Sequence, residues 1–202
     1  VHQSFFSGDK NAFYDGNDSY KLSETAKSFI AGQLKHIRGM NAILNPLINS
    51  YKRLVVGYEA PVYIAWASRN RSALIRVPRI TEGNVKAVRA ELRCPDPSAN
   101  PYLAFAVMLA AGMDGVKNKM KAPAPVEENI YHLSDDEVKQ RKIGSVCGSL
   151  PEALEEFKNN SLMREVVGEP VFETIYGAGM KLWDEYRMQV TDWELDRYLE
   201  MY

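Results

Sequence analysis

Only two of the 202 residues are cysteine, Cys94 and Cys147, far apart and without C-x-x-C spacing. Neither a disulfide framework nor a thiolate zinc site is expected from them, and a reduced, cytosolic setting is the reading they favour. Long apolar runs are lacking too. The longest, residues 103–111, falls well short of the roughly 20 residues that span a bilayer. The N-terminus has no charged-then-apolar leader pattern, so no membrane association is expected. An excess of one charge sign is also missing, with 25 Lys and Arg against 26 Asp and Glu. That balance argues against the broad basic surface of a general nucleic-acid binder. Any anionic partner must be held by local clusters of Arg and Lys. The chain opens on Val1 rather than methionine, and part of a longer protein is expected.

What is present is an ordinary globular composition, 46% hydrophobic and 25% charged. Over residues 23–45 apolar positions recur at three and four, from Ala26 through Phe29, Ile30, Leu34, Ile37 and Met40. Ser23 stands as N-cap and Pro46 as terminator, which predicts an amphipathic helix. Over residues 60–78 the period changes to alternation, Val62, Ile64 and Trp66 and then Ala73, Ile75 and Val77, predicting two strands joined as a hairpin across the turn signal at 68–70. Residues 87–94 read as a further strand with Arg89, Glu91 and Arg93 on one face and Val88, Ala90, Leu92 and Cys94 on the other. Asn100 and Pro101 open a helix that is apolar nearly all round through Met113, which predicts a buried core helix. A loop over 122–128 leads to a helical tail with capping-box signals at Ser149/Glu152 and Thr191/Glu194. No internal repeat or domain boundary is evident.

The chemistry concentrates between Arg53 and Arg93, where Glu59, Arg71, Arg76, Lys86, Arg89 and Glu91 also lie. Several arginine forks on rigid strands suit a polyphosphate or a carboxylate-bearing substrate. A carboxylate among them suits a hard cation such as Mg2+, which takes oxygen ligands and works with phosphates. Solvated strand faces with surface ion pairs, each worth ~0–1 kcal/mol, are the plain alternative. Arg71 and Arg76 are five apart and would face opposite ways on one regular strand, so their convergence needs a bulge or a turn position for Arg71.

The stretches NSYKRLVVGYEAP (49–61), NRSALIRVP (70–78) and ELRCPDPSANPYL (91–103) resemble the prokaryotic type I glutamine synthetase catalytic domain. The opening HQS and the ending QVTDWELDRYL fit as well, so the resemblance runs nearly end to end. It implies an α+β fold with an antiparallel active-site sheet forming part of a barrel, helices packed outside and a helical C-terminal tail. It also implies that residues 1–202 are the C-terminal portion of the catalytic domain, without the N-terminal β-grasp domain and the first part of the catalytic domain.

By the same resemblance, Arg53 and Arg93 correspond to glutamate-binding arginines and Arg71 to the one contacting substrate and transferring phosphate. Arg76, Lys86 and Arg89 correspond to nucleotide-phosphate ligands, and His2, Gln3 and Ser4 to a nucleotide-contacting stretch. Glu91 corresponds to a metal ligand and Glu59 to the flap glutamate that accepts a proton from ammonium. The implied reaction joins ammonia to the side-chain carboxylate of glutamate through γ-glutamyl phosphate, with ATP as co-substrate and Mg2+ or Mn2+ as cofactor, in a homo-oligomeric ring, a dodecamer. A glutamate–amine ligase of the same superfamily, or a non-catalytic paralogue keeping anion-binding and assembly contacts, are the alternatives.

Three departures qualify the match. The family's metal-binding histidine would precede Val1. Val56 replaces the proline usual in the flap, relaxing the backbone restriction on the residues before it. Residues 79–88 are longer than the short basic loop of many members. Tyr131 resembles a nucleotidylation tyrosine of some bacterial members, although His132 and Ser134 depart from its proline-rich context. His36 and His132 lack partners at metal-ligand spacing and read as structural, and the aromatic tail with Trp183 and Trp193 reads as core with some interface.

Overall fold

The computed structural model describes residues 1–58, 60–81 and 83–201. Its centre is α1 (Glu24–Leu44), whose N-terminus is capped by Ser23 Oγ accepting from the Ala26 N–H at 3.1 Å. This is the capping geometry that the sequence announces, since a serine oxygen satisfies an amide that has no intrahelical partner. From Phe29 onward α1 is buried on nearly every side.

A second helix, α3 (Pro101–Lys117), lies along α1, with Asn100 Oδ1 accepting from the amides of Tyr102 and Leu103. The two backbones meet with no side chain between them. A Cβ on Gly32 would stand 2.1 Å from the Ala111 carbonyl oxygen, and one on Gly115 would stand 2.0 Å from that of Ser28. Gly112 likewise leaves room for the Phe29 ring. The expectation of a helix buried all round is corrected here. The small residues Ala104, Ala111, Gly112 and Gly115 face α1 together with Val107 and Met108, while Tyr102, Phe105 and Leu109 stand exposed on the other side. A strongly apolar helix gives no moment by which its buried stripe could be chosen, and here the glycines chose it.

The sheet runs β1-β6-β5-β4-β7, comprising β1 (His2–Gln3), β4 (Tyr63–Ala67), β5 (Ala73–Arg76), β6 (Ala90–Leu92) and β7 (Gly144–Ser145). A separate small ribbon pairs β2 (Phe6–Ser7) with β3 (Lys10–Asn11). Three of the four pairings in the larger sheet are antiparallel. The hairpin expected between β4 and β5 is not formed: those strands are parallel, with Tyr63 opposite Ala73 and Ala67 opposite Arg76. Residues 68–72 double back between them, although parallel neighbours ordinarily need a crossover of a dozen residues or more. Side chains hold this short return. Asn70 Oδ1 accepts from the Ser72 amide at 2.8 Å and from Ser72 Oγ, and Asn70 Nδ2 donates to the Val126 carbonyl at 2.9 Å. Glu127 accepts from the amides of Ser68 and Arg69 at 2.8 and 3.0 Å. A turn signal in sequence marks the reversal but not which edge the chain returns to.

The strand predicted over 87–94 is shorter than expected, because a single 3-10 turn, Val85–Ala87, precedes β6. Its alternation holds, with Val88, Ala90, Leu92 and Cys94 all buried and Arg89, Glu91 and Arg93 partly open. Around this frame pack α2 (Ile48–Arg53), α4 (Asp135–Gln140), α5 (Leu150–Lys158), α6 (Ser161–Val167), α7 (Glu169–Tyr186) and α8 (Asp192–Tyr198). Thr191 and Glu194 form the expected reciprocal capping box on α8. At α5 only half of the motif appears, since Ser149 caps the Glu152 amide while the Glu152 carboxylate takes the Gly148 N–H instead. The tail is less buried than a core reading predicts. Phe172, stacked on Phe157, is the one buried residue of α7, and α8 has none among its described residues. His36 is structural, as expected: it ties three helices by Nε2 to Asp114 at 2.7 Å and Nδ1 to Asn160 at 3.2 Å. Among the described residues no helix is long and apolar enough to cross a membrane.

Candidate active site

A cavity of about 1050 Å3 opens where the return loop, β5, the end of β6 and the segment around Tyr131 meet. Among the described residues four guanidinium-bearing side chains line it, Arg69, Arg71, Arg76 and Arg93, against one carboxylate, Glu127. Glu127 is already committed to loop amides, so the space is strongly anion-attracting. The spacing difficulty at Arg71 and Arg76 is resolved as one of its two solutions required: Arg71 sits in the return loop and Arg76 on β5, and both reach the same space.

Arg93 and Arg76 are each fixed in their own way. Arg93 Nη1 donates to the carbonyl of Arg71 and, at 3.2 Å, to that of Ala73. It therefore holds the loop that carries Arg71. Burial pulls its pKa below the ordinary arginine value, Glu91 opposing, but an arginine stays charged across the physiological range. Arg76 Nε lies 2.6 Å from Glu91 Oε2, its cross-strand partner in the β5–β6 register. Glu91 Oε1 is 3.7 Å from His2 Nε2, and His2 faces Glu91 across the β1–β6 register. His2 Nδ1 accepts from Arg89 Nε at 3.1 Å. Burial lowers the His2 pKa, with Glu91 partly offsetting it. The order Arg89–His2–Glu91–Arg76 is thus a line of paired side chains along one face of the sheet, leading to the cavity.

Other expected site residues lie apart. Arg53 does not line the cavity. It donates through Nη2 to the Cys94 carbonyl and to Asn45 Oδ1 at 3.1 Å, with Asp96 3.7 Å from its Nε. Gln3 turns away from His2 and exchanges hydrogen bonds with Gln33 of α1 at 2.8 and 3.2 Å, because alternate residues of a strand face opposite ways. Lys86 is exposed and pairs with Asp9 at 3.2 Å. Ser4 follows β1 and is half-buried. Glu59 lies outside the described residues, although its neighbours Gly57 and Tyr58 line the cavity.

The structure adds Arg69, Tyr58 and Asn129, which pattern reading passed over, as lining groups, and gives Tyr131, read from sequence only as a candidate modification site, a place in the lining as well. Tyr131 packs at 5.8 Å from Tyr63, and burial raises its pKa while Arg93 opposes this. The N-R-x-x-x-x-R spacing could have flagged Asn70 as the anchor, since Asn favours tight turns. Nothing local to Asn129 or Tyr131 places them some sixty residues away in space.

The residues do not by themselves fit a metal ion. Among the described residues no three His, Cys, Asp or Glu side chains come together, and Glu91 is shared by Arg76 and His2. What the arrangement can do alone is hold an extended anion between fixed guanidinium forks.

The family model of the glutamine synthetase catalytic domain matches residues 1–198. The glutamine synthetase of Thermotoga maritima is 54% identical over 199 residues, 98% of this chain and 45% of that protein. That of Thermus thermophilus is 51% identical over 202 residues, 100% of this chain and 45% of its own length. Among solved structures, GmaS without ligand aligns with a TM-score of 0.82 at 30% identity, over 98% of this chain and 44% of that one. GmaS in complex with ADP gives 0.83 at 28%, over 98% and 45%. The chain spans less than half the length of these relatives, and it belongs to the glutamine synthetase catalytic-domain family.

Proposed function

We propose that this chain is the C-terminal portion of the catalytic domain of a glutamine synthetase. The full-length protein would ligate ammonia to the side-chain carboxylate of glutamate at the expense of ATP, in the cytoplasm and as a homo-oligomeric ring. The observation that carries the reading is the convergence of Arg71, Arg76 and Arg93 on one cavity, in a chain of this family.

The residues divide the work by position. Arg93 and Arg71, fixed through a shared backbone contact, are placed to hold glutamate and the phosphoryl group arriving on its side chain. Arg53 would serve the substrate carboxylates once freed from the Cys94 carbonyl. His2, Ser4, Lys86 and Arg89 flank the β1–β6 edge, where the nucleotide would lie, and the related GmaS has been solved as an ADP complex. Gln3 would contribute by holding that edge on α1.

Phosphoryl transfer asks mainly for positioning and neutralisation of charge, which preorganised guanidinium groups supply without reorganising. Mg2+ or Mn2+ would supply further neutralisation, with Glu91 contributing one carboxylate. Glu59, beside the cavity-lining Gly57 and Tyr58, would take the ammonium proton and shelter the acyl phosphate from water.

The test is an assay of the full-length protein with ammonia and with larger amines. ATP-dependent glutamine formation is the expected result, and exclusive use of an alkylamine would transfer the reading to an amine ligase. Glu59→Ala should raise the ratio of ADP to glutamine released. A ratio near one with unchanged turnover would remove Glu59 from its role. The 202-residue chain alone should make no glutamine, since one carboxylate does not organise a multi-ion site.

A further inference from the structure

A second cavity, about 730 Å3 in volume, lies on the far side of the return loop. Arg69 and Glu127 line both cavities, so the loop is the partition between them. We propose that this second cavity is a separate binding site for a small organic anion with a flat apolar body, and that occupancy there is transmitted to the catalytic cavity through residues 68–72.

The lining sets the chemistry. Val77 and Val88, both nearly fully buried, and Ile80 form an apolar wall. Val88 belongs to the face of its strand opposite Arg89, which separates this space from the charged line on the sheet. Tyr20 adds an aromatic surface held edge-on to Trp66 at 5.1 Å, and the Trp66 Nε1–H is in turn anchored on the Pro123 carbonyl at 2.7 Å. A flat ligand would therefore meet a rigid aromatic rather than a mobile one. Cations stand at the mouth: Arg69 and Arg79 are exposed, and Lys21 is held nearby by donating to the Gly16 carbonyl at 2.7 Å. Among the described lining residues their charge exceeds that of Glu127, whose oxygens already accept from two loop amides and whose neighbour Tyr20 has its pKa raised by burial and by that carboxylate. The volume lies within the range of small-molecule sites, and an apolar wall with a few convergent charged groups is their usual composition. An arginine fork accepts a carboxylate or a phosphate equally well, so the class is defined by a single anionic group on an aromatic body.

The coupling follows from the partition. A ligand anion drawing the Arg69 guanidinium toward the second cavity removes it from the lining of the first. It also loads the same loop on which Glu127, Asn70 and Ser72 converge and from which Arg71 projects. Any effect of the ligand on glutamate affinity must be matched by an equal effect of glutamate on the ligand.

The experiment measures binding to the full-length protein by calorimetry, without turnover, so that its failure is separable from failure of the catalytic reading. Phenyl phosphate, benzoate and inorganic phosphate are the probes, each with and without saturating ADP and glutamate. Phenyl phosphate or benzoate should bind with the catalytic cavity filled, and Arg79→Glu should weaken that binding at least tenfold while turnover without probe stays within twofold. Should Arg79→Glu fail to fold, Ile80→Trp, which fills the cavity, should abolish binding instead. Amide exchange over residues 68–72 should slow with the aromatic probe bound. No binding by either aromatic probe, displacement by ADP and glutamate, or indifference to both substitutions overturns the site. Equal affinity for inorganic phosphate overturns the apolar-body requirement, and unchanged exchange overturns the coupling.

Discussion

The seam between α1 and α3 and the charged face of the sheet bring distant residues together by opposite means. At the seam, Gly32, Gly112 and Gly115 let backbone approach backbone, and contact depends on the absence of side chains. On the sheet, Arg76 meets Glu91 and Glu91 meets His2 because register places these polar side chains opposite one another, and Arg89 reaches His2 through its guanidinium. The first arrangement tolerates no added atom; the second tolerates changes of size but not of charge geometry. Stability should therefore reside in the seam and activity in the sheet face, and substitutions should separate the two.

The largest effect is expected at Arg93. Arg93→Lys in the full-length protein keeps the charge but loses the planar guanidinium whose Nη1 donates to the carbonyls of both Arg71 and Ala73. Loss of one preorganised transition-state contact costs ~2.7–4 kcal/mol, roughly a hundred- to thousand-fold in turnover. Turnover within threefold of wild type would end the catalytic reading of this residue. Melting temperature should move little, and a large fall would blur the separation of the two regions.

Next stands Gly115→Ala, whose Cβ would lie 2.0 Å from the Ser28 carbonyl oxygen. Because that neighbour is backbone, the cost belongs at the upper end of the ~1–3 kcal/mol typical of overpacking. Chemical denaturation measures it, and any activity that survives should have an unchanged KM for glutamate. A neutral result would mean that the helices slide apart freely.

A smaller effect tests the return loop. The amides of Ser68 and Arg69 donate to different oxygens of Glu127, so Glu127→Gln keeps an acceptor for only one of them, turns an NH2 toward the other and removes the charge that makes such bonds about twice as strong as neutral ones. Amide exchange over residues 68–72 should quicken with little change in global stability. Protection equal to wild type would show that Asn70 alone holds the loop.

The smallest concerns pH. The Asp114 carboxyl is held below its ordinary range, first by the hydrogen bond to His36 and then by Lys35. A depressed carboxylate pKa contributes stability above the unfolded value near 3.9 that is lost as pH falls through the folded one. Asp114→Asn should lower stability at pH 8, where that contribution is fully present, and flatten the fall below about pH 4, where the wild type loses it anyway. An unchanged acid limb would assign the loss of stability to other carboxylates.

Much of this was legible from residues alone where the signal is local. The cap at Ser23, the box at Thr191 and Glu194, and the alternation from Val88 to Cys94 depend on neighbours within one turn or one strand, and they stand as read. The candidate arginines were legible too, but their grouping was only partly so. Arg71, Arg76 and Arg93 converge, whereas Arg53 and Gln3 are occupied with Cys94 and Gln33, partners that no spacing rule supplies.

The sequence by itself determined the periods, the caps, the balance of charge and, through long ordered motifs, the family. Only the tertiary structure decided that β5 returns parallel to β4, that α3 buries its glycine side rather than its large apolar side, and that a loop pinned by Asn70 and Glu127 divides two cavities. The physical reason is common to all three. Each outcome turns on a contact between segments distant along the chain, where steric fit between backbones and satisfaction of buried polar groups outweigh any preference that neighbouring residues express.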